Sequence, residues 1–531
     1  MMPMYSTQQS HHYSNNNYDN YSHQHHAQQH GANDDYTDRP KEDPKKVDVL
    51  LAEELLKLSC KERNDIQEEV HGVDCLAREE TPELLEASLE QMARALEDNR
   101  ITPFHTKEAL RRARVLFPNS YVHTRDFRLR FLRNTLFDPI WAAKKAADYL
   151  RIAGDIFGEK ALERPILFSD FTAKEKQYIR KGHCQFLPFR DRSGRRILAV
   201  VNPTLYTGDS ERPLQQMSRE ERDDSMFFMQ AKLLMYMVWT AGYDIETQRR
   251  GIVYLCWLDP THQPKQNFNL SVGIPRLNMT SVFTVRASAV HTCSPDRPFY
   301  RFFRNLLIIG STQANRPKVR FHLGTSIEVR YKLRAFGIPT EHIPVSVTGT
   351  IKTGYVKQWM HAREVIEQNY FMNNSNVTIV ECPRLDDVLF RHGISFNSNP
   401  GNAAVRRLII NTYKEQEIVK IKRRKMVLAI IEDVRKNGGR FLVWNDEGWW
   451  NELLDFDDMI MAKVEYIIKD VRRENRISIR QQQQQLKVSS STSIFCSAST
   501  NVQIPSSDEE DGTSDRNCNC SGLMLPAMRR R

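Results

Sequence analysis

An unbroken apolar stretch, Gly251-Ile252-Val253-Tyr254-Leu255-Cys256-Trp257-Leu258, sits near the middle of the chain. It is short, carries β-branched and aromatic side chains, and offers no polar face, so it fits a strand buried on both sides. Such a strand needs other strands beside it and helices over both faces of the sheet. The neighbouring sequence supplies them. His183–Phe189 and Arg195–Val201 read as strands joined by the turn Asp191-Arg192-Ser193-Gly194. An apolar helix over about 222–241 precedes the central strand. A strand at Val282–His291, a helix over about 297–309 and a strand at Val319–Leu323 follow it. Thr325 and Glu328 form a capping box for a helix that ends at Gly337 and Pro339. Strands alternating with helices predict an α/β lobe over residues 161–370.

Upstream, residues 46–160 read as a helical bundle. Val47, Leu51, Leu55 and Leu58 repeat at helical spacing, with Ser59 and Glu62 placed to cap a further turn. Thr81-Pro82 and Asp138-Pro139 are helix starts, a cap residue followed by proline at the first helical position. Downstream, residues 384–476 read as a small, separate, helix-rich domain. It has helices at about 401–417, 419–436 and 457–473, with short strands at Arg440–Trp444 and Trp449–Trp450. The ends, 1–45 and 477–531, are rich in His, Gln, Asn and Ser and hold too few aliphatic side chains to offset ordering entropy, which predicts disordered tails. The fold class expected is therefore α/β, with a helical first part and a third unit.

Bulk properties narrow the function. A net charge of +10 permits contact with acidic lipid or nucleic acid and demands neither. Nine scattered cysteines without a CxxC pair argue against a disulfide framework and for a reducing compartment. No charged-then-apolar leader opens the sequence, and the most apolar window, Met226–Gly242, is interrupted by Gln230 and Lys232. These features predict a soluble, cytoplasmic protein whose membrane contact is peripheral. No P-loop, nucleophile elbow or dinucleotide fingerprint is present, so no enzymatic activity and no cofactor are expected. His291, His322 and Cys293 lack the spacing of a metal site, and no metal is expected. Asp223-Asp224 and Asp386-Asp387 are adjacent in sequence, point apart, and read as helix caps.

Two stretches carry candidate binding residues. In the helix over 297–309, Phe299, Phe302, Phe303 and Leu306 share one face, and Arg297, Arg301 and Arg304 share another. Such a helix suits a bilayer interface, with cationic heads on phosphates, and equally suits ordinary packing on a sheet with a solvated basic face. Alternation along the strands nominates Phe186, Val253, Leu255 and Ala289 as walls of an apolar cavity or as plain core. In the third unit, Lys420, Lys422, Arg423, Arg424 and Lys425 form a basic run. It fits nucleic-acid phosphates, anionic lipid, a protein partner or a nuclear import address, as well as a solvated face.

Several segments resemble the CRAL-TRIO lipid-binding family over about residues 47–355. They are Phe127–Arg133 with Phe137-Asp138 and Ala142–Leu150, then Gly182–Pro188 with Arg190–Arg196, then Gly251–Leu255 with Asp259. Arg286–His291, Phe321–Gly324, Gly337–Pro339 and Ile343–Val345 complete the series. The resemblance implies a helical bundle followed by a lobe whose sheet floors an apolar cavity closed by a helical lid. It also implies binding, transfer or sensing of a lipid or other hydrophobic ligand. Ile274-Pro275-Arg276-Leu277 lacks the acidic residue that the family's phosphoinositide binders use, so an inositol head group is not implied. The third unit resembles a domain of unknown function found in microalgal proteins, through Asp387–Phe390, Pro400-Gly401-Asn402, Gly438–Leu442 and Trp449 or Trp450. The alternative expectation is a nucleic-acid-associated regulator acting through that basic unit.

Overall fold

The computed structural model describes residues 47–202, 225–258, 283–311, 313–371, 378–391, 399–416, 423–454 and 458–496. The chain divides into two compact units, Met1–Lys463 and Val464–Arg531. Everything below concerns the first, apart from the far part of the last helix.

The first elements are α1 (Val47–Leu56), α2 (Cys60–His71), α3 (Pro82–Glu97), α4 (Phe104–Leu116), α5 (Arg125–Asn134) and α6 (Pro139–Phe157). The local signals in the sequence set their ends. Ser59 and Glu62 make the capping box of α2, Thr81 accepts from Leu84 N at α3, and Asp138 accepts from Ile140 N and Trp141 N at α6. A one-turn α7 (Lys160–Glu163) and α8 (Ala173–Arg180) lead to the sheet. The second of these was not foreseen, although Thr172 and Glu175 form a capping box there as well.

The main sheet has five strands in the order β1-β2-β3-β4-β5: Cys184–Phe186, Arg196–Val201, Ile252–Trp257, Ala287–Ser294 and Val319–Leu323. β1 is antiparallel to β2, and β2 through β5 are parallel. Helices α9 (Met226–Ala241) and α10 (Ile245–Arg250) connect β2 to β3, and α11 (Pro298–Gly310) connects β4 to β5. In a sheet of sequential parallel strands, crossovers of one hand fall on one face, and α9 and α11 do so. Their face is also covered by the N-terminal bundle, which buries Leu198, Val200, Ile252 and Tyr254 in the largest core. The opposite face buries Ile197, Ala199, Val201, Val253, Leu255, Trp257, Ala289 and Cys293 against Val70 of α2 and Val329 and Leu333 of α12 (Ser326–Ala335). β4 starts at Ala287 rather than Val282. Before it, Phe283 and Val285 sink into the bundle core, and Arg286 turns to hold the buried Glu69 carboxylate at 2.5 and 2.8 Å.

The turn Asp191–Gly194, with Arg195 beyond it, is also a clamp. The Asp191 carboxylate accepts from Ser193 N, Arg195 N and Arg195 Nε (3.1, 2.8 and 2.7 Å). The Arg192 guanidinium donates to the carbonyls of His71, Gly72 and Ala335 at the ends of α2 and α12.

The C-terminal part does not stand apart as expected. Helix α13 (Gly354–Phe371) leads into a four-stranded sheet, β6-β9-β8-β7: Ile379–Val380, Trp450–Glu452, Phe441–Trp444 and Val388–Phe390. Helices α14 (Pro400–Gln416) and α15 (Arg423–Lys436) accompany it. Buried ion pairs key this sheet to the lobe. Asp244 takes Arg190 and Arg384 at 2.7 Å each, and Glu381 takes Arg196 and Arg363 at 3.1 Å each. Burial opposes ionisation of Asp244, but the two guanidiniums outweigh it and hold its carboxyl well below the usual range. Asp387 caps no helix. Fully buried, it accepts from Arg384 N (2.7 Å), Arg440 N and Nε (3.1 Å each) and Arg440 Nη2 (2.8 Å). Gly401 and Gly439 lie so close to the Asp387 and Asp386 carbonyls that a Cβ would sit 2.2 and 2.5 Å from them, which accounts for glycine at both positions. The last helix, α16, runs Asp458–Cys496, past the glutamines expected in a disordered tail; glutamine's unbranched side chain suits a helix. Residues 1–45 and 497–531, also expected to be disordered, lie outside the described residues, as do Lys46, Asp223-Asp224, Asp259 and Ile274–Leu277.

Candidate functional site

The four proposed wall residues do not share a wall. Val253, Leu255 and Ala289 are fully buried on the face closed by α2 and α12 and are plain core. Phe186 lies on the other face, with the Arg196 guanidinium 4.0 Å above its ring. The strand alternation thus sets Val253, Leu255 and Ala289 on one face and Phe186 on the other.

On the bundle side, β3 and β4 are central strands flanked on both edges, yet Cys256, Ala287 and Val290 there are only partly buried, Ala287 and Val290 packing at the margin of the bundle core. Tyr254 forms part of this floor, stacked on Phe283 with ring centroids 5.9 Å apart. Its hydroxyl and that of Thr284 are buried and unpartnered among the described residues. Unsatisfied buried hydroxyls are costly, and a ligand or water satisfies them. At the strand-edge side of the same face α11 packs Tyr300, Phe303 and Leu307 on Leu258, Phe321 and Leu323.

Two amines border the floor. Lys145, on α6, donates to Asn134 Oδ1 (2.7 Å), and Asn134 in turn donates to the Phe283 carbonyl (2.8 Å). Lys318, just before β5, donates to the Ala287 carbonyl (3.2 Å) and lies 3.8 Å from Glu69. Burial pushes Lys145 down to about 8, helped by repulsion from Lys318. Burial likewise pushes Lys318 down to about 8; Glu69 opposes the shift and Arg286 adds to it. Both still carry substantial positive charge near neutrality. Neither was nominated from the sequence, although a signal exists for Lys145: it falls on the same helical stripe as the buried Ala142, Ala146 and Tyr149.

On α11, Phe303 is buried, while the side chains of Phe299, Phe302 and Leu306 lie outside the described residues. The three arginines do not form a bare cationic row. Arg297 is exposed at the helix start, Arg301 pairs with Asp296 (2.7 Å), and Arg304 pairs with Asp48 of α1 (3.0 Å). Exposed pairs of this kind are worth about 0–1 kcal/mol, so an anionic surface can compete for either arginine.

His291 and His322 form a buried pair, Nδ1 to Nε2 at 2.9 Å, packed on Phe336. Burial lowers both, His322 to about 4 and His291 well below its usual value with His322 contributing, so the pair is neutral at physiological pH. Among the described residues no group of three or more metal-ligating side chains comes together. In the basic run, Arg424 and Lys425 are exposed on α15, whose other face buries Met426, Val427, Ile430 and Ile431. Arg423 opens that helix, its side chain outside the described residues, and Lys420 and Lys422 lie outside them altogether.

The molecule is thus a mixed α/β protein: a helical N-terminal region, a five-stranded sheet with helices on both faces, and a second, four-stranded sheet. Residues 387–470 match the family described as a domain of unknown function, DUF6824, which agrees with the resemblance noted for this segment. No curated protein matches the chain. Among the described residues no helix is long and apolar enough to cross a membrane.

Proposed function

We propose that this chain binds a hydrophobic ligand with an anionic end, laid on the bundle-side face of the main sheet beneath α11, and that it carries, transfers or senses that ligand without covalent chemistry. The observation that carries the reading is the partly exposed apolar floor at Cys256, Ala287 and Val290, bordered by the amines of Lys145 and Lys318. An apolar surface with a few convergent polar groups is the usual composition of a small-molecule site. Two partly desolvated ammonium groups favour a carboxylate or phosphate over a neutral head.

The resemblance to CRAL-TRIO proteins supports the same reading. The helical N-terminal region and the five-stranded sheet with α11 at its edge are consistent with it. The exchangeable pairs on α11 support peripheral contact with an anionic membrane. The test is transfer of a fluorescent fatty acid and a fluorescent phosphatidylcholine between vesicles by the full chain. The double variant Lys145→Ala/Lys318→Ala should lose most of its affinity for the fatty acid and retain the apolar component of binding. Absence of transfer and of uptake for both probes in the unaltered protein would overturn the proposal.

A further inference from the structure

We propose that α1 is a latch holding α11 down, so that release of α1 frees α11 and uncovers the edge of the sheet floor. The contact draws on both ends of α1 and on the C-terminal half of α11. Val47 and Leu51 of α1 pack with Ile308 and Ile309 of α11 and with Phe321 of β5 in a small core of their own, separate from the two main cores. Asp48 pairs with Arg304 at 3.0 Å. Glu54 pairs with Arg316, and both side chains are about nine-tenths buried.

Arg316 is the joint of the device. Its guanidinium donates to the carbonyls of Ile308 (3.0 Å), Ile309 (3.2 Å) and Ser311 (3.1 Å) at the C-terminal end of α11. One residue therefore closes the end of the covering helix and ties it to α1. Glu54 supplies a carboxylate that keeps this guanidinium in place. Lys318, two positions on, connects the same turn to Glu69 of α2 and to the floor at Ala287.

The restraint differs in kind from the packing of the sheet. α11 rests on the sheet through a small cluster at its edge, Leu258, Tyr300, Phe303 and Leu307 with Phe321 and Leu323. Ile308 and Ile309 near its end are covered by Val47 and Leu51 of α1 together with Phe321 of β5. α1 itself is a ten-residue helix with Val49 and Leu56 exposed, too short to persist without its contacts. Elements held by few buried contacts open before the global unfolding of a domain. The two ion pairs make the latch sensitive to charge: Asp48 and Arg304 are open to salt, and Glu54 and Arg316 are largely shielded from it.

The consequence for ligand access rests on the function proposed above; the latch itself does not. The experiment is hydrogen–deuterium exchange on the full chain and on two variants, Leu51→Asp and the milder Glu54→Gln, with uptake of a fluorescent fatty acid measured in parallel. Exchange in 298–310 should quicken at least about fivefold in both variants while 252–257 is unchanged, because the opening is local. Uptake should quicken in step. Unchanged exchange in 298–310 in both variants would overturn the latch, as would equal acceleration in 252–257, which would make α1 a general stabiliser. If the unaltered protein takes up no fatty acid, the proposed function fails, and the exchange data still decide the latch.

Discussion

Filling the two faces of the main sheet with the same side chain should have opposite consequences. Ala287 and Ala289 lie two positions apart on β4, across a register shift opposite Ile252 and Val253. Ala289 is fully buried among Val253, Leu255, Val329 and Leu333, each at most 2% exposed. Placing a phenylalanine there forces a ring into a site with no room, and overpacking of this kind costs about 1–3 kcal/mol. At an m-value of about 2 kcal/mol/M, a loss of about 2 kcal/mol moves the urea midpoint down by roughly 1 M. Ala287 faces the bundle side, where the ligand is proposed to lie, and is only partly buried. Ala287→Phe should therefore lower the midpoint by less than about 0.5 M and abolish uptake of a fluorescent fatty acid, because the ring takes the ligand's place. The assay is urea unfolding followed by tryptophan emission, paired with ligand titration. Equal destabilisation by both substitutions would refute the hollow on the bundle side, and so would full ligand binding by Ala287→Phe.

Affinity for an anionic ligand should be steady below pH 8 and fall as pH rises above it, since both floor amines titrate near there in the free protein; isothermal titration with oleate at pH 7, 8 and 9 checks this. The same lysines are lowered relative to the unfolded chain, so between about pH 8 and 10.5 the unfolded state binds more protons and stability should rise with pH, which urea midpoints would show. Glu80 is held at about 2, where burial, which raises it, is outweighed by hydrogen bonds from Arg133 and Arg249. Its contribution is present above pH 4.5 and lost as pH falls toward 2, so Glu80→Gln should flatten acid unfolding over that window. Gly154→Ala, inside α6 with no atom within 4 Å of the added Cβ, should stabilise by about 0.5–1 kcal/mol. Gly401→Ala, which places a Cβ 2.2 Å from the Asp387 carbonyl, should destabilise, and thermal melts of the pair would show opposite signs.

Local chemistry was the most legible part of this chain. Ser59 with Glu62, Thr81-Pro82, Asp138-Pro139 and Thr325 with Glu328 each mark a helix start because capping is settled within four residues. The parallel core strand was legible for the same reason: every side chain of Ile252–Trp257 except Cys256 is buried. Which face of that strand packs beneath the helical bundle was not, because a continuous apolar run carries no polarity to distinguish its faces. Val253 and Leu255 on one side look like Tyr254 and Cys256 on the other. The amines were missed because Lys145 and Lys318 meet at the floor from elements far apart in sequence, α6 and the turn before β5. The union of the C-terminal sheet with the lobe was hidden too. It depends on Arg190, Arg196, Asp244 and Glu381 finding one another across the chain, and single charges in a sequence look like surface.

The open floor beneath α11 is the claim on which the functional account stands. Native mass spectrometry of the full chain, after incubation with oleate and with mixed phospholipid vesicles, measures it directly. The account predicts a one-to-one adduct that survives transfer to the gas phase and is lost in Ala287→Phe. A spectrum showing only the bare chain mass under every loading condition would contradict it.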